Sequence, residues 1–187
     1  MLQRLFIAAV LTNSQTNELQ KLQNDIKSLS TKASLTRPEN LHLTLRFLGD
    51  CDERQTEQIR ELLLDEKSRL IETLPAELLL AGISAVGSFS GRDGELVFAR
   101  LNVSRSIRQL VSVLEQGVQK LGFPAERKKW FPHVTLARRV VWKDREESAS
   151  FVIDKNQPLE PIPALHLFRS EFTDRGMKYT SIFDWIL

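Results

Sequence analysis

The sequence predicts an α+β fold made of two similar lobes, with antiparallel sheets that face a central cleft and helices on the outside. Segments with helical periodicity alternate along the chain with short apolar segments that are typical of strands. In addition, the motif His-apolar-Thr-Leu occurs twice, at 42–45 and at 133–136, each time downstream of one amphipathic helix. A unit of helix and motif strand that occurs twice predicts two lobes. Because nothing along the chain resembles an interdomain linker, we expect one two-lobed domain over residues 1–187.

The predicted helices and strands fill most of the chain. The apolar run from Leu5 to Leu11 predicts a buried first strand and not a secretory signal, because it leads directly into an amphipathic helix. Apolar residues spaced by three and four predict the helices, and short apolar or alternating runs predict the other strands. Helices are expected over about 15–32, 53–72 and 105–121. Further strands are expected over about 41–48, 76–90, 95–102, 133–141, 162–172 and 178–186.

Caps and turns mark several boundaries of these elements. Asp52 has the side chain that an N-cap requires, and Gly122 follows the third helix where a C-terminal cap favours glycine. Residues 90–94 contain two glycines and predict a hairpin connection, and Gly176 marks the last turn. The polar stretch 143–161 is expected to be a loop with a short helical piece.

Composition and charge exclude several classes of protein. The net charge is only +2, although the sequence pI is about 8.8, so the molecule is not a polycation and any nucleic-acid site must be local. The single cysteine, Cys51, excludes an intramolecular disulfide, fits a reducing compartment and is expected to be structural. No apolar run is long enough to span a bilayer. We therefore expect a cytoplasmic protein that has no membrane partner.

The duplicated motif is the strongest functional signal, because the chain has three histidines and two of them share it. Side chains alternate between the faces of a strand, so His42 and Thr44 project together, as do His133 and Thr135. Two imidazoles and two hydroxyls that face each other across a groove would surround a small tetrahedral anion. One imidazole would activate water while the other protonates the leaving oxygen, which is the layout that in-line displacement at phosphorus requires.

Cations and aromatic residues surround the second motif. Alternation from His133 places Arg138 on the opposite face of the strand, so Arg138 would reach the groove only if the strand ended or twisted there. Cations beside aromatic rings match a nucleotide terminus, whose phosphate requires charge and whose base requires a stacking surface. The same run of charges is also typical of a solvated loop. Its members are Arg127, Lys128, Lys129, Arg138 and Arg139, with Trp130 and Phe131 between them.

The sequence predicts neither a metal site nor a cofactor. Zinc requires three or four ligands, and no third histidine, cysteine or carboxylate accompanies either motif at metal-like spacing. His166 lacks the threonine of the motif and is expected to pack structurally. Gly87, Gly91 and Gly94 fit neither the phosphate-loop pattern nor the dinucleotide fingerprint.

At these motifs the chain resembles the two-histidine phosphoesterase superfamily, which is defined by a pair of His-x-Thr-x motifs. More narrowly it is similar to the RNA 2′,3′-cyclic phosphodiesterases, also called LigT-like 2′-5′ RNA ligases. The matching segments span nearly the whole chain and are Arg4–Ala8, Glu39–Gly49, Pro132–Arg138 and Leu167–Tyr179. One departure lies at 84–98. Members of that family often carry a proline-rich stretch after Gly-x-Phe there, whereas this chain has Ser90–Gly94 after Gly87–Phe89.

The resemblance implies a metal-independent enzyme that opens a terminal RNA 2′,3′-cyclic phosphate to leave a 2′-phosphate. It implies that His42 donates a proton to the leaving oxygen and that His133 is the base for water. Thr44 and Thr135 would hold phosphate oxygens, and Arg138 would add a positive contact. The expected partners are RNA ends, among them tRNA fragments, and the protein is expected to be a monomer. A 2′-5′ RNA ligase that runs the reverse reaction and a non-catalytic RNA-end-binding module remain open as alternatives. A sugar-nucleotide or another small cyclic phosphate also remains open as the substrate.

Overall fold

The computed structural model describes residues 2–73, 79–144, 151, 158–174 and 176–187, and within the second helix it describes side chains only up to residue 68. This part of the chain contains three α-helices, nine β-strands and a short 3-10 helix over Pro38–Asn40. The helices are α1 (Asn13–Leu29), α2 (Glu53–Thr73) and α3 (Arg105–Lys120). The strands are β1 (Gln3–Val10), β2 (Ser30–Leu35), β3 (His42–Cys51), β4 (Leu80–Phe89), β5 (Glu95–Val103), β6 (His133–Trp142), β7 (Glu160–Pro161), β8 (Ala164–Thr173) and β9 (Gly176–Ile186). None of the described helices is long and apolar enough to cross a membrane.

The strands form two antiparallel sheets with the orders β3-β1-β8-β9 and β2-β6-β5-β4-β7. In each sheet a motif strand, β3 or β6, pairs with an interior strand, β1 or β5. One helix lies between these two strands along the chain, α1 in the first sheet and α3 in the second. The predicted α+β fold with two similar lobes is therefore confirmed.

The two lobes exchange strands. Strand β2 follows α1 along the chain but pairs with β6 in the second sheet. The C-terminal hairpin of β8 and β9 returns to the first sheet, where β8 pairs with β1. Each sheet is therefore complete only when strands from both ends of the chain are present.

The hydrophobic core lies between the helices and the sheets. Leu5 and Ile7 of β1 point into this core and are almost fully buried, as are Ile26 of α1 and Leu114 of α3. Burying one such side chain contributes about 1.5–3 kcal/mol. Phe6, between Leu5 and Ile7 in β1, lies outside the core cluster and packs against the aromatic rings of the cleft.

The predicted caps are present. Asp52 accepts a hydrogen bond from the backbone N–H of Gln55 at 2.7 Å, and the Gln55 side chain accepts one from the Asp52 N–H at 3.0 Å, so α2 begins with a capping box. Gly122 follows α3 with φ +91°, a left-handed conformation that favours glycine. The connection over residues 90–94 joins β4 to β5 as a hairpin.

The first helix is shorter at its C-terminal end than the predicted range of about 15–32. The structure ends α1 at Leu29 because the next six residues form β2, which pairs with β6 from Ser30 opposite Trp142 to Leu35 opposite Ala137. This strand is mostly polar and lies at the edge of its sheet, so its extended conformation depends on a partner more than 100 residues away. Local periodicity carries no signal for such pairing.

The remaining differences are small. Strand β8 begins at Ala164 and not at 162, because the N–H of Ile162 donates to the carbonyl of Leu79, the residue that precedes β4. The two-residue strand β7 pairs with β4 and was not predicted. The short helical piece predicted within 143–161 lies mainly outside the described residues, as does the predicted start of a strand at 76.

Both motif strands are irregular at the same place. In β3, the register against β1 gains one residue directly after Thr44, where Leu45 is inserted. In β6, the register against β5 gains one residue directly after Thr135, where Leu136 is inserted. Such bulges change which side chains face one side of a strand. The duplication therefore extends from the motif to its backbone irregularity.

Candidate functional site

The two motif strands bring their polar side chains into one cavity. His42 and Thr44 enter it from the first sheet, and His133 and Thr135 enter it from the second sheet. Arg138 lines the same cavity, which has a volume of about 550 Å³ and which we call the histidine pocket. All five residues that the sequence selects therefore lie together, although the two motifs are far apart along the chain.

Both histidines are oriented by the same backbone contact. Nδ1 of His42 lies 2.7 Å from the carbonyl oxygen of Asn40, and Nδ1 of His133 lies 2.8 Å from that of Phe131. Because a carbonyl only accepts, each Nδ1 carries the hydrogen and each Nε2 remains for proton exchange. Nε2 of His42 lies 3.0 Å from Oγ1 of Thr44, which donates to it while the imidazole is neutral.

Aromatic rings enclose His42 and lower its pKa. The His42 ring centroid lies 4.9 Å from that of Phe6 and 5.3 Å from that of Tyr179. Burial in this apolar surrounding is the main reason why the pKa of His42 falls from 6.5 to about 4. The positive charges of His133 and Arg138 lower it further, whereas the Nδ1 hydrogen bond opposes the fall. In the free protein at neutral pH, His42 is therefore uncharged.

A second set of rings surrounds His133. Its ring centroid lies 5.5 Å from that of Phe98 and 5.6 Å from that of Phe131, and the Phe131 ring is stacked on it. Phe89 lies 6.3 Å away and meets His133 edge-on. Gly87 leaves room for this cluster, since a Cβ there would lie 2.8 Å from Cζ of Phe98.

Arg138 reaches the histidine pocket although strand alternation places it on the opposite face from His133. The extra residue at Leu136 changes the phase of β6, and Arg139 then adopts φ +54°, which bends the strand further. Gly94 makes room for this bend, because a Cβ there would lie 2.8 Å from the carbonyl carbon of Arg139. Arg138 was expected to reach the groove only if the strand ended or twisted there, and the bulge in β6 provides this change of direction.

A second cavity of about 810 Å³ opens beside the histidine pocket. The two cavities share Thr44, Phe47 and His133 in their linings. We call it the α3 pocket, because one wall is α3 and another is the segment 125–131. Its other polar and aromatic lining residues are Arg46, Phe89, Arg108, Ser112, Glu115, Gln119, Glu126, Lys128, Lys129, Trp130 and Phe131.

Arg46, which follows the first motif, holds the wall of the α3 pocket. Its side chain is only 7% exposed, and its Nε lies 2.5 Å from Glu115 and its guanidinium 2.9 Å from Glu126. It also donates to the carbonyl of Pro124 at 2.5 Å. Sequence reasoning missed this residue, because its partners are 69 to 80 positions away and no local pattern connects them.

The segment that precedes the second motif also contacts the first motif directly. The indole Nε1 of Trp130 donates to the backbone carbonyl of Thr44 at 3.0 Å. The next residue, Phe131, provides the carbonyl that orients His133. Strand β3 therefore supports the geometry of both histidines.

Other residues that the sequence analysis considered lie elsewhere. His166 lines neither cavity and places its Nδ1 3.4 Å from Asp184. Cys51 is buried, and burial, with Asp50 and Asp52 beside it, raises the pKa of its thiol to about 11, which makes it a poor nucleophile. Arg127 also lies outside both cavities, in contrast to the lysines that follow it.

Comparison with known proteins finds a family and relatives that match nearly the whole chain. The family described as the AKAP7 2′5′ RNA ligase-like domain matches residues 5–174. A relative from Methanothermobacter thermautotrophicus, named RNA 2′,3′-cyclic phosphodiesterase, is 28% identical over 184 residues, which cover 96% of each chain. A relative of the same name from Methanocaldococcus jannaschii is 27% identical over 186 residues, which cover 97% of this chain and 99% of the relative.

Solved structures share the fold. A crystal structure of a protein from Thermus thermophilus matches with a TM-score of 0.74 at 26% identity and covers 98% of this chain and 97% of its own. E. coli LigT in complex with 3′-AMP matches with a TM-score of 0.70 at 19% identity and covers 100% of this chain and 99% of its own. The likeness to LigT is at the level of the fold.

Proposed function

Because the chain belongs to the AKAP7 2′5′ RNA ligase-like domain family, we propose that it hydrolyses a terminal RNA 2′,3′-cyclic phosphate to a 2′-phosphomonoester without a metal ion. The family resemblance read from the two motifs is confirmed by this match and by relatives named RNA 2′,3′-cyclic phosphodiesterase. The observation that carries the proposal is that two equivalent His-x-Thr half-sites open into one cavity with Arg138 beside them.

In this proposal the cyclic phosphate lies between the two histidines. Nε2 of His133 takes a proton from water as the water oxygen bonds to phosphorus. On the opposite side, Nε2 of His42 gives its proton to the 3′-oxygen as the bond from phosphorus to that oxygen breaks. Thr44 and Thr135 donate hydrogen bonds to the phosphate oxygens, and Arg138 balances their charge. The product keeps the phosphate on the 2′-oxygen.

This division of labour requires His42 to be charged, whereas its pKa of about 4 leaves it neutral in the free protein. An anionic phosphate bound against Nε2 favours the charged imidazole and opposes the positive charge of Arg138. Substrate binding would therefore charge the acid only when there is a leaving group for it to protonate. Thr44 would exchange its contact with Nε2 for one with the phosphate.

We further propose that RNA ends are the substrates and that the two lobes act as one domain in the cytoplasm. The exchange of β2 and of the hairpin formed by β8 and β9 between the sheets supports a single unit. One buried cysteine, Cys51, fits a reducing compartment.

The test is incubation with an oligonucleotide that ends in a 2′,3′-cyclic phosphate, in excess chelator, followed by identification of the product isomer. The proposal predicts the 2′-phosphomonoester and its loss in His133→Ala. A 3′-phosphomonoester would mean that the 2′-oxygen is the leaving group, which contradicts the proposed geometry. An unchanged substrate would contradict the proposed hydrolysis altogether.

A further inference from the structure

We infer that the α3 pocket binds the single-stranded RNA that precedes the cyclic phosphate, with Lys128 and Lys129 along its backbone and Phe89 against a base. This inference rests on the proposed function, because it takes the histidine pocket as the position of the phosphorus. It assigns a substrate preference to the protein, namely RNA chains over cyclic mononucleotides.

The α3 pocket has the position and the size for this role. It meets the histidine pocket at Thr44 and His133, so a chain that leaves the reacting phosphate enters it directly. Its volume of about 810 Å³ exceeds the 550 Å³ of the histidine pocket. Cavities of this size hold organic ligands larger than a phosphate group.

The free charge of the α3 pocket is positive. Among the residues that the structure describes, Arg108, Lys128 and Lys129 have no carboxylate within salt-bridge distance. The two carboxylates of the pocket, Glu115 and Glu126, are both bound by Arg46, which is buried behind them. Four cations, Arg46 included, against two carboxylates leave the α3 pocket with an excess of two positive charges, which suits a phosphodiester backbone.

The ionised state of Glu115 is supported by its surroundings. Partial burial would raise the pKa of Glu115, but hydrogen bonds from the Glu126 amide, from Gln119 and from Arg46 outweigh this effect and hold that pKa below its ordinary value. The acid therefore keeps its charge for Arg46 at neutral pH and does not accept a proton from the solvent.

Exposed aromatic rings complete the surface. Phe47 is 58% exposed at the junction of the two pockets, and Phe89 is 50% exposed beside His133. The exposed part of each ring is apolar surface in contact with water, and a nucleobase stacked on it would remove that surface from water. Cations next to half-exposed aromatic rings are the features that single-stranded nucleic acid requires.

The competing path runs through the histidine pocket, past the exposed ring of Phe172 at the end of β8. Of its three arginines, Arg138 faces the phosphate and Arg37 lies 3.9 Å from Glu39, so Arg139 alone is left for an RNA backbone, against Arg108, Lys128 and Lys129 in the α3 pocket. We therefore favour the α3 pocket, and Phe172 provides the matched control to Phe89.

The experiment compares kcat/KM for adenosine 2′,3′-cyclic phosphate with that for an oligoadenylate of about six nucleotides that carries the same end. The ratio of kcat/KM for the oligonucleotide to kcat/KM for the mononucleotide should fall roughly tenfold in Lys128→Gln/Lys129→Gln, because this variant loses two exposed charge contacts with the RNA backbone. It should also fall in Phe89→Ser. The controls are Phe172→Ser and Lys27→Gln/Arg54→Gln; the latter removes two exposed cations outside both pockets.

The salt dependence gives a second measurement, and binding gives an arm that needs no turnover. Affinity for a 2′-phosphate-terminated oligoadenylate, measured by fluorescence anisotropy, should fall less steeply with log salt in the double lysine variant, by a slope of about 1.4 for two phosphates. If the wild type hydrolyses neither substrate, the proposed function fails, and this binding measurement still decides the α3 pocket.

Two results would overturn the inference. One is an oligonucleotide preference that Phe172→Ser abolishes and Phe89→Ser leaves intact, because the RNA would then follow the histidine pocket. The other is a double lysine variant whose salt slope and substrate ratio equal those of Lys27→Gln/Arg54→Gln, since the rim lysines would then contact no phosphate.

Discussion

Acidification should destabilise the protein through His42. Burial holds the pKa of this imidazole at about 4 in the folded protein, against an ordinary value of 6.5. Between those two values the unfolded chain binds a proton at His42 and the folded protein does not, so protons favour the unfolded state. The stability present above pH 6.5 is lost as the pH falls towards 4. Linkage gives a loss of about 2 kcal/mol from pH 7 to pH 5 and about 3 kcal/mol by pH 4.

Urea unfolding at pH 7, 6 and 5 measures this loss. The reference is His42→Gln, which cannot titrate and keeps a side-chain donor for the carbonyl of Asn40. Groups that do not interact with His42 titrate equally in both proteins, so the difference between their free energies of unfolding reports His42 together with its coupling to His133. We expect the wild type to lose about 2 kcal/mol relative to His42→Gln between pH 7 and pH 5.

The variant Arg138→Met separates the causes of the low pKa. Removing this positive charge should make the dependence of stability on pH shallower without abolishing it, because burial is the larger cause. A difference between wild type and His42→Gln that stays constant from pH 7 to pH 5 would refute the reasoning. Folded and unfolded chains would then charge His42 equally readily.

Three further predictions concern turnover on a cyclic-phosphate oligonucleotide. His42→Ala and His133→Ala should each lower kcat by about 10²-fold or more, whereas His166→Ala should stay near wild type; equal sensitivity of His166 would make the assignment of the pair wrong. Gly87→Ala should lower kcat, because the new methyl group displaces the Phe98 ring that packs on His133, and a second change, Phe98→Leu, should restore part of it. Full activity in Gly87→Ala would contradict that packing. Activity in excess EDTA should match that without chelator, and a loss that one divalent ion restores would contradict the metal-free mechanism.

Features that depend on neighbouring residues were predictable from the sequence. The caps at Asp52 and Gly122 are local hydrogen-bond and backbone preferences, and the structure has both. The grouping of His42 and His133 was predictable because the motif occurs twice, and a repeated unit on two strands implies two faces that can meet.

Features that depend on distant partners were not predictable. Strand β2 is extended because β6 pairs with it. The bulge that turns Arg138 into the histidine pocket is defined by the pairing of β6 with β5. The burial of Arg46 depends on carboxylates from α3 and from the segment after it. No spacing within a window of one helix or strand encodes these contacts.

The central claim is that one proton is shared between His42 and His133 across one phosphorus atom. The pH dependence of kcat/KM on a cyclic-phosphate oligonucleotide, with chemistry shown to be rate-limiting, tests it most directly. The account predicts a bell whose limits belong to the coupled pair, because loss of the last proton removes the acid and a second proton removes the base. A rate that stays level through the alkaline range would mean that no charged imidazole is needed, and it would contradict the role of His42.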